Sequence, residues 1–220
     1  MSTRTASNKK QVSNNRSLIY WIVGGVVGLG LIVWLAVAIA GETAVDEDIA
    51  YADVTVDGTN LPFLESGAAD PAVGLTAPTV SGEDLDGEDI TIAADGRAKI
   101  VVLLAHWCPH CQREVPVIQS WVESGGLPEG VDLYGATVLT NRVRDGDTWP
   151  PQEWLADEGW TSPTIKDDRD GSIVNAYGMT GTPTYVVLGP DNENLGRLSG
   201  EIGVDGLNAL AGIAAASLES

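Results

Sequence analysis

The sequence predicts an α/β fold, a mixed central β-sheet flanked by helices, carried behind an N-terminal membrane-spanning segment. Three observations lead there. Strand-like and helix-like runs alternate from about Val73 and close with a β-hairpin and a helix. Ile100 to Ala105 is continuously apolar, as a strand covered on both faces requires, and it leads directly to Cys108-Pro109-His110-Cys111. Leu18 to Ala40 is a run of 23 residues without a charge.

In chain order, residues 1–17 form a polar tail whose only charges are Arg4, Lys9, Lys10 and Arg16. Residues 18–40 would span about 35 Å as a helix, enough for the hydrocarbon core of a bilayer. Basic residues before this run and Glu42, Asp46, Glu47 and Asp48 after it place the N-terminus in the cytoplasm. Ala38-Ile39-Ala40 has the form of a signal-peptide cleavage site, but signal h-regions are about 7–15 residues long, so a retained signal-anchor is the preferred reading. Either reading exports the rest of the chain. Gly24 and Gly28 make a G-x-x-x-G, a weak hint of helix pairing.

The charge divides at the same place. The net charge is −19, yet all 31 acidic residues and 8 of the 12 basic ones follow Gly41, so the exported part carries −23. Such a domain repels nucleic acid and anionic surfaces.

Residues 41–72 are acidic and rich in small side chains, and read as an extracytoplasmic linker. Within them Tyr51 to Val56 alternates at period two and is expected to add an edge strand. Val80 to Ile92 reads as two short strands around an Asp/Gly turn. Pro109 to Ser124 is helical, with Pro116 expected to kink it. Val131 to Leu139 is a strand, and Trp149-Pro150-Pro151 opens a short helix through Leu155. Thr164–Lys166 is a strand and Ser172–Tyr177 a helix. Thr184–Leu188 and Leu195–Ser199 form a hairpin about Pro190-Asp191-Asn192, and Leu207–Leu218 is the last helix. Residues 73–220 thus make one domain with room for a core.

Cys108 and Cys111 are the only cysteines, and the only histidines, His106 and His110, sit among them. A strand delivers this pair to a helix start, where unpaired N–H groups and the helix dipole favour a thiolate. Pro109 suits the first turn, and His110 adds a potential positive charge beside Cys108. A structural staple needs neither the spacing nor the helix start. Zinc needs about four ligands, and six consecutive residues cannot comfortably wrap one ion. A c-type haem site needs His after the second Cys, where Gln112 stands, and a copper site lacks a distant third ligand. A redox dithiol is the reading that uses every feature.

With these residues in view, Trp107-Cys108-Pro109-His110-Cys111-Gln112-Arg113-Glu114-Val115-Pro116 resembles the thioredoxin superfamily, and most closely its membrane-anchored TlpA/ResA (redoxin-type) branch. The Pro-His dipeptide resembles that of the Dsb-type disulfide oxidases. Gly181-Thr182-Pro183-Thr184 resembles the family's second marker, in which the Thr-Pro bond is cis and faces the Cys-x-x-Cys. The Val80–Ile92 hairpin is similar to the extra N-terminal hairpin of the branch. The resemblance implies that Cys108, the exposed thiol, attacks and Cys111, more buried, resolves. It implies that Pro183 presents backbone for a substrate strand, that Thr182 faces the sulfurs, and that His110 tunes them. Trp107 packs under the loop, and His106 lines the strand end. Thioredoxins carry a buried Asp five residues before the Trp, but Val102 stands there. A proton-relaying acid is then expected from outside the strand, with Glu83, Asp84, Asp86 and Glu88 as candidates and Glu114 expected on the helix surface.

The sequence therefore points to a single-pass, extracytoplasmic thiol–disulfide oxidoreductase without other cofactor or metal. Its expected partners are envelope protein thiols and disulfides and a membrane thiol-redox protein. Whether it oxidises or reduces is open: the branch suggests a reductase, the Pro-His dipeptide an oxidant. A non-catalytic binding module with a structural or metal-holding Cys-x-x-Cys is the alternative. A peroxidase is disfavoured, because Pro78-Thr79 is not followed by a cysteine.

Overall fold

In the computed structural model, residues 20–21, 25–30, 32, 34–35, 48–65, 67, 69–141 and 148–219 are described. The chain divides into two units, Met1–Val45 and Asp46–Ser220. In the first, the described residues between 20 and 35 are helical and their large apolar side chains, Trp21 and Trp34 among them, are exposed. The rest of the expected 18–40 span, the 1–17 tail and the Ala38–Ala40 motif lie outside the described residues. Among the described residues no helix is long and apolar enough to cross a membrane.

The second unit is built around β4 (Ala98–Leu104), whose seven residues are all buried. It centres a five-stranded sheet of order β6-β5-β4-β7-β8. β5 (Val131–Thr137), β6 (Thr164–Lys166) and β8 (Asn194–Ser199) run in the direction of β4, and β7 (Thr184–Leu188), which lies between β4 and β8, runs antiparallel to both, giving the expected mixed sheet. Alternation along β4 splits the core. Ile100, Val102 and Leu104 face α1 (Pro109–Glu123) and α4 (Gly203–Ala216), with Trp154 and Leu155 of α2 (Pro151–Asp157) on the same side. Val101 and Leu103 face α3 (Ser172–Ala176) and the small N-terminal sheet.

That sheet contains the expected hairpin, β2 (Thr79–Glu83) and β3 (Asp89–Ile92), paired antiparallel through Val80↔Ile92. The edge strand forms as β1 (Thr55–Asp57), later than the 51–56 alternation suggests, with Thr55 opposite Ser81.

The linker expected over residues 41–72 is corrected for its described residues, from 48 onward, which pack on the second unit. Leu61 and Leu64 are 3% and 8% exposed. Their N–H groups donate to Ala176 and Gly178 carbonyls at 2.9 and 2.8 Å, and Thr180 Oγ1 donates to the Leu64 carbonyl at 2.6 Å. Burying each leucine contributes about 2 kcal/mol, which a free tether would forgo. Asp70 reaches further, to the guanidinium of Arg197 in β8, whose side chain is fully buried. Small, acidic composition concealed a strap that supplies a counterion.

Candidate functional site

The site forms where the C-terminal end of β4 meets α1. Cys108 is the N-cap residue of α1 and makes no side-chain cap bond, so its sulfur is left for other partners. Its S–H donates to the Thr182 carbonyl at 3.5 Å. The Thr182–Pro183 bond is cis, as the family resemblance implied; Trp149–Pro150 is a second cis bond, which the sequence reading did not anticipate. The turn that carries Pro183 thus covers Cys108, and the expected exposed thiol is corrected: Cys108 is 5% exposed and Cys111 fully buried. Both thiols are free.

The two sulfurs differ in acidity. Burial alone would push the Cys108 thiol up, but hydrogen bonds from the Thr182 side chain and from the Cys111 and His110 backbone N–H groups outweigh it, and the thiol is held below its ordinary value. For Cys111 burial wins. The Ala105 N–H, 3.5 Å from its sulfur, and the Thr182 side chain act against it, while the negative charge of Cys108 adds to it, so the thiol is pushed up to about 12.

Around the sulfurs, His110 and Pro109 are exposed and Trp107 half-buried. Trp107 Nε1 donates to the Leu139 carbonyl at 2.8 Å, in line with a packing role. His106 is 1% exposed. It accepts the Asn141 N–H at Nε2 (3.4 Å), meets the Thr148 hydroxyl at Nδ1 (3.5 Å) and packs edge-on to Trp149. It joins the strand end to the following loop.

The sequence reading missed Glu114. Expected on the helix surface, it is 3% exposed. Its Oε1 accepts three bonds: from the Tyr185 hydroxyl at 3.0 Å and from the Ile202 and Gly203 N–H groups at 2.9 Å each. Three residues after Cys111, it lies on the same helix face, and that spacing was the available signal. The four acids expected to serve the site are engaged or exposed elsewhere. Glu83 pairs with Lys166 at 3.4 Å, Asp84 Oδ1 accepts the Asp86 and Glu88 N–H groups, and Asp86 and Glu88 are exposed.

Beside the Pro183 turn lies a recess of about 500 Å³ bounded by Leu64, Thr180, Gly181 and Leu198. It runs along β8, the edge strand of the sheet.

The AhpC/TSA family pattern matches residues 73–193, more than half of the chain. The chain belongs to the AhpC/TSA family. This AhpC/TSA-family protein is 24% identical over 109 residues to sporulation thiol-disulfide oxidoreductase A of Bacillus subtilis, a match spanning 50% of this chain and 63% of that relative. Its fold matches the crystal structure of StoA from Bacillus subtilis with a TM-score of 0.51 at 22% identity, over 64% of this chain and 98% of that one. A DsbF homologue from Corynebacterium diphtheriae gives a TM-score of 0.50 at 21% identity, over 70% and 92%. A thioredoxin-family thiol:disulfide interchange protein from Chlorobium tepidum gives 0.50 at 23%, over 63% and 94%. These likenesses show the thioredoxin-like fold.

Proposed function

We propose that this protein is a membrane-anchored, extracytoplasmic thiol–disulfide oxidoreductase working through Cys108 and Cys111. The observation that carries the reading is the placement of two free thiols at one helix start, Cys108 at the N-cap against the Thr182 carbonyl and Cys111 fully buried behind it, an arrangement that holds Cys108 below its ordinary value and pushes Cys111 up to about 12. In the reducing direction, the Cys108 thiolate attacks one sulfur of a substrate disulfide, that S–S bond breaks, and the leaving thiolate takes a proton. Cys111 then gives up its proton and attacks the Cys108 sulfur. The substrate leaves as a dithiol, having gained two electrons and two protons, and the Cys108–Cys111 disulfide remains. The oxidising direction reverses the same steps.

Pro183 and Thr182 frame the approach to Cys108, and the recess along β8 suits an extended protein segment added at the sheet edge. His110 acts on the Cys108 charge from the rim. The names of the relatives, sporulation thiol-disulfide oxidoreductase and thiol:disulfide interchange protein, support thiols and disulfides as substrates; envelope proteins and a membrane thiol-redox partner follow from the export that the N-terminal run implies. The anchor rests on the uncharged 18–40 run, the charge asymmetry around it, and the helical, solvent-facing residues described within it.

Cys111→Ala tests the reading. It is expected to accumulate mixed disulfides with envelope proteins through Cys108, visible on non-reducing gels and absent from Cys108→Ala. No adducts from Cys111→Ala would refute the reading and favour a binding module.

A further inference from the structure

The rim of the site carries an ion cluster that the exchange chemistry does not itself require. The Glu201 carboxylate contacts His110 Nδ1 and the Arg113 guanidinium, with Arg113 Nε also 3.3 Å from its second oxygen. Arg113 stands one helical turn beyond His110, and its outer nitrogen is 2.9 Å from His110 Nδ1. Both belong to the helix whose first turn holds Cys108.

Glu201 is held in place from both sides. Before it, the Gly200 N–H donates to the Pro183 carbonyl at 2.8 Å. After it, the Ile202 and Gly203 N–H groups donate to the buried Glu114 carboxylate. The loop bearing Glu201 is therefore tied both to the cis-proline turn and to the helix of the two cysteines. An exposed carboxylate fixed at this point has an electrostatic consequence.

We propose that Glu201 is a positioning residue that engages His110 and the Arg113 guanidinium at the rim and thereby weakens their hold on the Cys108 thiolate. This rests on the thiol–disulfide reading of Cys108 and Cys111. Arg113 and Glu201, by their hydrogen bond, hold each other charged: the Arg113 pKa is raised first by Glu201, and that of Glu201 lowered first by Arg113 and then by His110. The charge of Cys108 also acts on Arg113. Removing the Glu201 charge leaves the cluster one unit more positive beside the sulfur. A better-stabilised thiolate favours the dithiol and makes the disulfide the stronger oxidant. Glu201 thus damps the oxidising tendency expected of a Pro-His dipeptide.

The test uses the full chain in detergent, equilibrated with glutathione buffers, with thiolate absorbance read in parallel. Relative to wild type, Glu201→Gln is expected to shift the equilibrium toward the dithiol by about two- to fivefold, the range of an exposed ion pair. Arg113→Gln, which removes the guanidinium and leaves the carboxylate with His110 alone, shifts it toward the disulfide. Both shifts shrink in high salt, which a purely structural role would not produce. An unchanged equilibrium in Glu201→Gln, or a shift toward the disulfide, overturns the proposal. A wild-type chain with no reversible two-electron couple overturns the underlying exchange reading instead, and is recognised before any variant is compared.

Discussion

Replacing Glu114 by alanine removes the one oxygen that three donors share. The main-chain N–H groups of Ile202 and Gly203 lie at half-buried residues, and water can partly replace their acceptor. Tyr185 is fully buried, and its hydroxyl loses its acceptor outright. Burial first, and then the Glu114 charge, drive the Tyr185 hydroxyl far above the tyrosine range, so it stays a donor and cannot escape by ionising. Hydrogen bonds to a charged group are worth about 1.5–3 kcal/mol each and a stranded buried donor costs about 1–3, so the expected loss is roughly 3–5 kcal/mol. For a folded unit of this size that lowers Tm by about 6–20 °C. Glu114→Gln keeps an acceptor oxygen in place and should cost only about 1–2 kcal/mol. Thermal melts and urea titrations of both variants decide the matter. A Glu114→Ala protein melting within about 2 °C of wild type would refute the argument. So would a Gln variant as damaged as the Ala variant, since charge rather than the shared acceptor would then be what the site needs.

Iodoacetamide near neutral pH should modify Cys108 and leave Cys111 untouched, by mass spectrometry, because one thiol is held low and the other pushed up to about 12; equal labelling contradicts the assignment. Breaking the buried pair with Arg197→Met should cost about 3–5 kcal/mol in a urea titration, since Asp70 is left without its partner. Two buried acids should pull the pH profile of stability in opposite directions. Burial would raise the Asp70 carboxyl, but hydrogen bonds from Arg197, the Ala72 N–H and Asn194 prevail and lower it, so its contribution is present above the ordinary carboxylate range and lost as pH falls. Burial raises Asp167 to about 6 against its Ile173 and Asp168 N–H bonds, so its contribution is present below the ordinary value of 3.8 and lost as pH rises through about 6. Asp167→Asn should flatten the profile between pH 4 and 6.5, and an unchanged slope there would count against a raised Asp167.

The parts legible in the sequence were those where local pattern and burial agree. β4 could be read because a strand covered on both faces needs an unbroken apolar run, and α1 because Pro109 opens it at the point where the cysteines require a helix start. The parts that stayed hidden depend on partners remote in the chain. Glu114 looked like a surface residue because an isolated carboxylate normally is one, and its donors come from Tyr185 and from residues 202 and 203. The strap at 48–65 looked like a tether because acids and small residues dominate it, while Leu61 and Leu64 find their cover at Ala176 and Gly178. Asp70 and Arg197 are separated by 127 residues, and no local pattern announces such a pair.

The extent of the family match and the extent of the folding unit are different things here. A shortened chain beginning at Val73, where the match starts, would leave out Asp70 along with Leu61, Leu64 and Pro62. Arg197, whose Nη1 also donates to the Pro62 carbonyl at 2.8 Å, would then sit inside the protein with its charge unbalanced and a donor unplaced. Ending at residue 193 would in turn remove the final strand, the last helix and both main-chain donors to Glu114. Anyone expressing the second unit alone for crystallography or redox titration should therefore cut near Asp46, where the chain divides into its two units, rather than at the borders that homology suggests.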